Sequence, residues 1–333
     1  MDTSSAPRRR PLRFALRVTG ILAALVVGAA LYLGLGLPRA PRLSAAVQRG
    51  RIRVGSLDRT YLFYAPAHLP PNPPLVFALH GATENGQGMR VSTGYEFERL
   101  AEAHGFIVVY PDGYKRHWND CRRTLLSEAK RLGIDDEGFL LALIARFRST
   151  AGIDPARVFV MGYSNGGYLA YRLAFEVPDR FAAIAAVAAN LPTDDNSECR
   201  KPGRPIAAMI LAGTADPIIP YQGGRISLFG FSDRGSVLSA RQSADVFVRL
   251  NGQDETPTAS RWPHREAADP TSAEQLDWHA PGKPEVVLIS VAGGGHVVPQ
   301  PFFRAPRSLG RTTHDIDGPA EIWKFFARQR PLR

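Results

Sequence analysis

Apolar runs recur along the chain at residues 60–64, 75–79, 106–110, 158–161, 182–187, 206–211 and 286–291. Most are continuous rather than alternating, the pattern of strands covered on both faces. Between them, apolar positions at helical spacing mark residues 97–104, 136–149, 165–175, 237–250 and 319–328. Strand–helix alternation of this kind predicts an α/β domain with a mostly parallel central sheet and helices on both faces. Residues 51–64 read as an antiparallel hairpin leading into that sheet. The stretch 252–284, rich in Pro, Asp and Thr, breaks the pattern and reads as an excursion at the sheet edge or over the site. No internal repeat is visible, and neither a large cap domain nor an appended binding module is expected.

The N-terminal residues follow a different rule. Residues 18–37 contain no charge (VTGILAALVVGAALYLGLGL). As a helix rising ~1.5 Å per residue they would cross a hydrocarbon layer roughly 30 Å thick. The arginines before them would keep the N-terminus in the cytoplasm and send the rest across. The expected layout is a basic cytoplasmic segment at 1–17, a signal-anchor or cleaved signal at 18–37, a linker at 38–49 and a catalytic domain at 50–333. The product would be membrane-anchored facing the periplasm or outside, or secreted if the segment is cleaved.

Charge changes the picture little. The formal net charge is +10, but residues 1–50 hold eight arginines against Asp2 alone and so contribute +7, leaving +3. An excess that small, with no basic stripe interleaved with aromatics, excludes nucleic acid as a partner. Hydrophobic residues at 44% and charged residues at 22% exclude a disordered chain. Cys121 and Cys199 are the only cysteines. In an exported protein such a pair is expected to be bridged, with two separate buried thiols as the alternative. The histidines show no metal-ligand spacing, and no metal or organic cofactor is expected.

The chemistry-bearing signal is Gly162-Tyr163-Ser164-Asn165-Gly166, placed between the strand run 158–161 and the helix pattern that follows. A tight strand-to-helix turn there would lift the Ser164 hydroxyl above the sheet at the positive end of a helix. A serine at neutral pH needs a base, and the base an orienting acid. Run 206–211 leads to Asp216, and run 286–291 leads through three glycines to His296. The order Ser164, Asp216, His296 suits such a sheet. His314 is a rival base that no strand end presents, and Asp120 is an alternative acid. For the oxyanion, backbone N–H donors are expected from Asn165 and from Ala82 or Thr83, just after His80-Gly81 at the exit of run 75–79. Trp118, Asp120 and Tyr163 are candidates for the substrate pocket. For the Trp118–Asp120 loop, a staple with Trp118 packed and Asp120 bonded to backbone is the alternative.

The motifs LHGATENG, YPDGYKRHWNDC, DDEGF, GYSNGGYLAYRLA, GTADPIIPYQGG and VAGGGH together resemble the polyhydroxybutyrate-depolymerase-type esterases, with their feruloyl and acetylxylan esterase relatives. The resemblance covers about residues 50–330. It implies the α/β-hydrolase fold and a serine esterase whose triad falls on Ser164, Asp216 and His296. One departure is that relatives often carry His-Thr-Trp-Pro-Gly where this chain reads His296-Val297-Val298-Pro299-Gln300, so an aromatic is missing near the pocket. The expected activity is hydrolysis of short-chain, feruloyl-type or hydroxyalkanoate oligomer esters through an acyl-enzyme. A peptidase or acyltransferase using the same fold, or a non-catalytic binding protein, is the alternative.

Overall fold

The computed structural model describes residues 18–20, 22–26, 28, 38–124, 126–200, 203–227, 233–254, 256–302 and 304–330. Segment 1–17 and eleven of the twenty residues of the candidate membrane span at 18–37 lie outside them. Among the described residues no helix is long and apolar enough to cross a membrane.

Ten strands form one sheet: β1 (Gln48–Val54), β2 (Leu57–Tyr64), β3 (Leu75–Leu79), β4 (Ile107–Pro111), β5 (Val158–Tyr163), β6 (Ala183–Val187), β7 (Ala207–Gly213), then β10 (Thr258–Arg261), β11 (Ser272–Trp278) and β12 (Val286–Ala292). Their order across the sheet is β1-β2-β4-β3-β5-β6-β7-β12-β11-β10. From β4 to β12 every neighbour is parallel, and both flanks are antiparallel. Strands β8 (Gly224–Ser227) and β9 (Asp233–Val237) make a separate hairpin.

The centre of the sheet is dry on both sides because its strands carry no polar alternation. Every residue of β3, β4, β5 and β6 is buried. One face is covered by α4 (Asp136–Ala151), α5 (Asn165–Glu176) and α6 (Ala240–Leu250), the other by α1 (Gly86–Ser92), α2 (Glu96–His104) and α7 (Gly318–Arg328), with the short α3 (Glu128–Arg131) in a loop. Phe77 and Phe159 point to opposite faces and are fully buried. Each such side chain stabilises the fold by roughly 1.5–3 kcal/mol. This is the α/β-hydrolase architecture, and among the described residues no large cap domain covers it.

Three local expectations need correction. Residues 252–284 do lie at the sheet edge, but they continue the strand pattern rather than break it, since β10 and β11 fall within them and extend the sheet. Helix α6 begins at Ala240 rather than at residue 237, because Ser239 and Gln242 form a capping box and Val237 is still in β9. Residues 48 and 49, assigned to the linker, already pair with Phe63 and Leu62, and Leu43, Ala45 and Val47 lie against the core.

Candidate active site

Ser164, Asp216 and His296 follow the C-terminal ends of β5, β7 and β12, and those ends sit close together across the sheet. Ser164 sits between β5 and α5 at φ 51°, ψ −115°, a left-handed conformation costly for any residue with a side chain. Its N–H donates to the Val187 carbonyl (2.9 Å) and its carbonyl accepts from Tyr168 (3.1 Å), which fixes the turn. The flanking glycines are steric necessities. A Cβ on Gly162 would run into the Gly166 carbonyl, and one on Gly166 into the Leu79 carbonyl of the neighbouring strand. The elbow is therefore pressed against the exit of β3.

His296 Nε2 lies 2.9 Å from Ser164 Oγ, and His296 Nδ1 lies 2.7 Å from Asp216 Oδ2. The other Asp216 oxygen accepts the N–H groups of Ile218 (2.8 Å) and Ile219 (2.9 Å). The His296 and Asp216 side chains are 4% and 2% exposed, so little water competes for these bonds. Gly294 and Gly295 let the His296 loop pack closely on two neighbours: Ala215 of the Asp216 loop donates to the Gly294 carbonyl, and Gly295 donates to the carbonyl of Arg311 in a later segment. Tyr163 stands behind the imidazole, rings 5.3 Å apart, and donates its hydroxyl to the His296 carbonyl at 2.8 Å. Burial pushes its phenol well above the ordinary value, so it stays a donor.

The turn after β3 is built from His80 to Glu84. His80 is buried, and burial pushes its imidazole down to about 4, so it is neutral at pH 7. Its Nε2 accepts the Gly113 N–H (2.8 Å), which leaves Nδ1–H to donate to the Gly81 carbonyl (2.7 Å). The Gly81 N–H donates to Glu84 Oε2 (3.2 Å), and the Ser92 hydroxyl to Glu84 Oε1 (3.2 Å). Burial raises the Glu84 carboxyl above its usual range, and those two bonds pull it back. Thr83, one of the two expected partners of Asn165, gives its N–H to the Arg116 carbonyl at 2.8 Å and so cannot donate to an oxyanion. Among the described residues the N–H groups of Ala82 and Asn165 are not engaged in this way.

Trp118 and Asp120 do not form a pocket wall. Both are fully buried. Trp118 Nε1 donates to the His80 carbonyl (2.9 Å), its ring centroid 4.7 Å from that of His80. Asp120 pairs with Arg122 and accepts from the Asn165 side chain (2.6 Å). It is far from any role as the acid beside His296. His314 binds Glu266 at 3.1 Å instead of approaching Ser164. Val298, the position at which the resemblance implies an aromatic, is 4% exposed and part of the core. Cys121 and Cys199 form a disulfide, Cα atoms 5.0 Å apart, tying the Trp118 loop to the segment before β7. Among the described residues no cluster of three or more His, Cys, Asp or Glu is placed to hold a metal ion. His80 and Glu84 were missed as site-builders; the one sequence signal for them was their place in the LHGATENG turn.

Comparison with known proteins agrees with this architecture. Residues 60–201 match the family described as esterase PHB depolymerase. NocK of Nocardia uniformis subsp. tsuyamanensis, named as an esterase, is 29% identical over 84% of this chain and 82% of its own length. Poly(3-hydroxyalkanoate) depolymerase C of Paucimonas lemoignei is 28% identical over 71% of this chain, which spans 58% of that protein. Among solved structures, an acetyl xylan esterase from Aspergillus awamori superposes with a TM-score of 0.52 at 18% identity, covering 76% of this chain and 95% of that one. At that identity the likeness speaks for the fold alone.

Proposed function

We propose, for a chain whose residues 60–201 belong to the polyhydroxybutyrate-depolymerase-type esterase family, that it is a serine carboxylic-ester hydrolase working through an acyl-enzyme. The observation that carries this reading is the relay Ser164 Oγ to His296 Nε2 (2.9 Å) and His296 Nδ1 to Asp216 Oδ2 (2.7 Å). Ser164 attacks the ester carbonyl while His296 takes its proton, and Asp216 stabilises the imidazolium. The tetrahedral oxyanion rests on the Asn165 and Ala82 N–H groups. His296 then protonates the departing alcohol, activates water and regenerates the serine. Every step uses groups of the chain itself.

Short-chain, feruloyl-type or hydroxyalkanoate oligomer esters are the substrate class we favour, from the relatives' names and the absence of a covering domain among the described residues. We place the domain outside the cytoplasm, since its cysteine pair is bridged and a long uncharged segment precedes it. Ser164→Ala should abolish turnover of nitrophenyl esters, and a fluorophosphonate should label the wild type stoichiometrically at Ser164. A panel of acetyl-sugar, feruloyl, short-chain and hydroxybutyrate esters, run beside an aminoacyl nitroanilide, identifies the bond cleaved. Ester turnover surviving Ser164→Ala, or faster anilide than ester cleavage, would sink the proposal.

A further inference from the structure

A backbone N–H that receives an oxyanion has no rotamer to hold it in place, so its aim depends on whatever fixes its residue. We propose that Asp120 is a positioning residue that aims the Asn165 N–H by gripping the Asn165 side chain. This rests on the serine-esterase reading, in which that N–H is an oxyanion donor.

Asn165 is 1% exposed at the start of α5, and its side chain turns away from the serine into the Trp118 loop. There Oδ1 accepts the Trp118 N–H (2.9 Å), while Nδ2 donates to Asp120 Oδ2 (2.6 Å) and to the Trp118 carbonyl (3.3 Å). That set admits one orientation of the amide, because a flip would put N–H against N–H and oxygen against a carboxylate. Asp120 is itself locked. Its Oδ1 accepts the Arg122 N–H (2.8 Å), and Arg122 Nε bridges its two oxygens (3.3 and 3.1 Å). The Arg122 guanidinium is buried and lies 4.0 Å from the ring centroid of Tyr168, one turn along α5 from Ser164. The chain of contacts thus starts and ends on the helix that begins at the elbow.

A buried ion pair is a poor way to gain stability, since its desolvation cancels much of its attraction. Placed against the residue after the serine, it is a good way to fix geometry. A loop staple would look similar in a list of contacts but differ in kinetics. Losing a staple lowers the melting temperature and leaves turnover alone. Losing an aim lowers kcat at constant KM and weakens transition-state mimics in step with kcat.

The test uses Asp120→Asn and Asn165→Ala. The second keeps the N–H and leaves Asp120 paired with Arg122, so it decides the matter if the first does not fold. Removing a whole oxyanion donor costs about 10²–10³ in kcat. A donor present but loosely aimed should cost less, about 10- to 100-fold, with KM within about twofold. The affinity of a trifluoromethyl ketone analogue should fall by the same factor as kcat. The double variant should be no slower than the worse single one, because both remove the same tether. Turnover within twofold of wild type in Asn165→Ala, or losses that multiply in the double variant, would overturn the proposal. Ser164→Ala, measured alongside, separates the two levels: if it too keeps turnover, the esterase reading has failed and not the tether alone.

Discussion

Asp216→Asn removes one charge and replaces one oxygen by an NH2 group, and the geometry dictates which way the new amide must face. In the wild type one oxygen accepts two backbone N–H groups, from Ile218 and Ile219, and the other accepts from His296 Nδ1. If the Asn oxygen stays on the two backbone donors, its NH2 faces the imidazole. Nδ1 must then accept, the proton moves to Nε2, and the ring can no longer take the proton of Ser164. If the amide turns round, two part-buried backbone N–H groups lose their acceptor and meet another donor. Each lost partner costs about 1–3 kcal/mol, so the inactive orientation is favoured by roughly 2–6 kcal/mol. The upper part of that range coincides with the ~10⁴-fold loss known for a triad Asp→Asn change, about 5.5 kcal/mol. We expect kcat on a nitrophenyl ester to fall by about 10³- to 10⁴-fold. The melting temperature should change by no more than a few degrees, because the favoured orientation keeps every backbone bond. Retention of more than a tenth of wild-type kcat in a folded Asp216→Asn protein would refute the assignment of the acid.

Further expectations follow from the packing and the charges. Gly162→Ala drives a methyl group into the Gly166 carbonyl, and should lose at least the 1–3 kcal/mol typical of overpacking, read as a drop of several degrees in a thermal melt; an unchanged melt would show that the elbow can yield. The disulfide spans a sequence separation of 78 residues, and removing it as Cys121→Ser with Cys199→Ser should cost about 4.5 kcal/mol in the chain-entropy model. Two titratable thiols in denatured, unreduced material from outside the cytoplasm would instead mean that no bridge forms. Asp317, which caps α7 through the Ala320 N–H, has its carboxyl pushed up to about 7, chiefly by burial and then by the nearby Glu96. The folded state therefore holds a proton that the unfolded chain has lost, and stability falls as pH rises from about 4 to 7. Asp317→Asn keeps the cap and should flatten that part of the stability profile, with its largest gain above pH 7; a parallel profile would contradict it.

The parts of the site that could be read from sequence were those with local cues. Ser164, Asp216 and His296 each follow an uninterrupted apolar run, and the run, the turn glycines and the chemistry stand within ten residues of one another. The rest depended on partners distant in sequence. Thr83 was an even match to Ala82 until the chain brought Arg116 to its N–H. Trp118 and Asp120 read equally as pocket residues or as a loop staple, because their loop leaves the correct end of β4 and nothing local decides between the two. Their burial follows from contacts with His80 and Asn165 that no spacing announces. Strands β10 and β11 escaped notice for another reason. All of β10 is exposed, and in β11 only Ala273 and Trp278 are buried, so neither shows the apolar run that marks the central strands.

The outermost strands also decide how the molecule behaves in company. A sheet of ten strands ends in two rows of unpaired amides and carbonyls, each a template on which another chain could grow. At one end β1 carries Arg49, Arg51 and Arg53 at every second position, all exposed, so a second copy aligned there would bring like charges together. At the other end β10 offers only four residues, Thr-Ala-Ser-Arg, too short and too polar to hold a newcomer. A sheet this long needs some device of its own to keep its edges apart. Here the repulsion is written into the first strand and the brevity into the last, so the long sheet that supports the chemistry is kept from becoming the nucleus of a fibre.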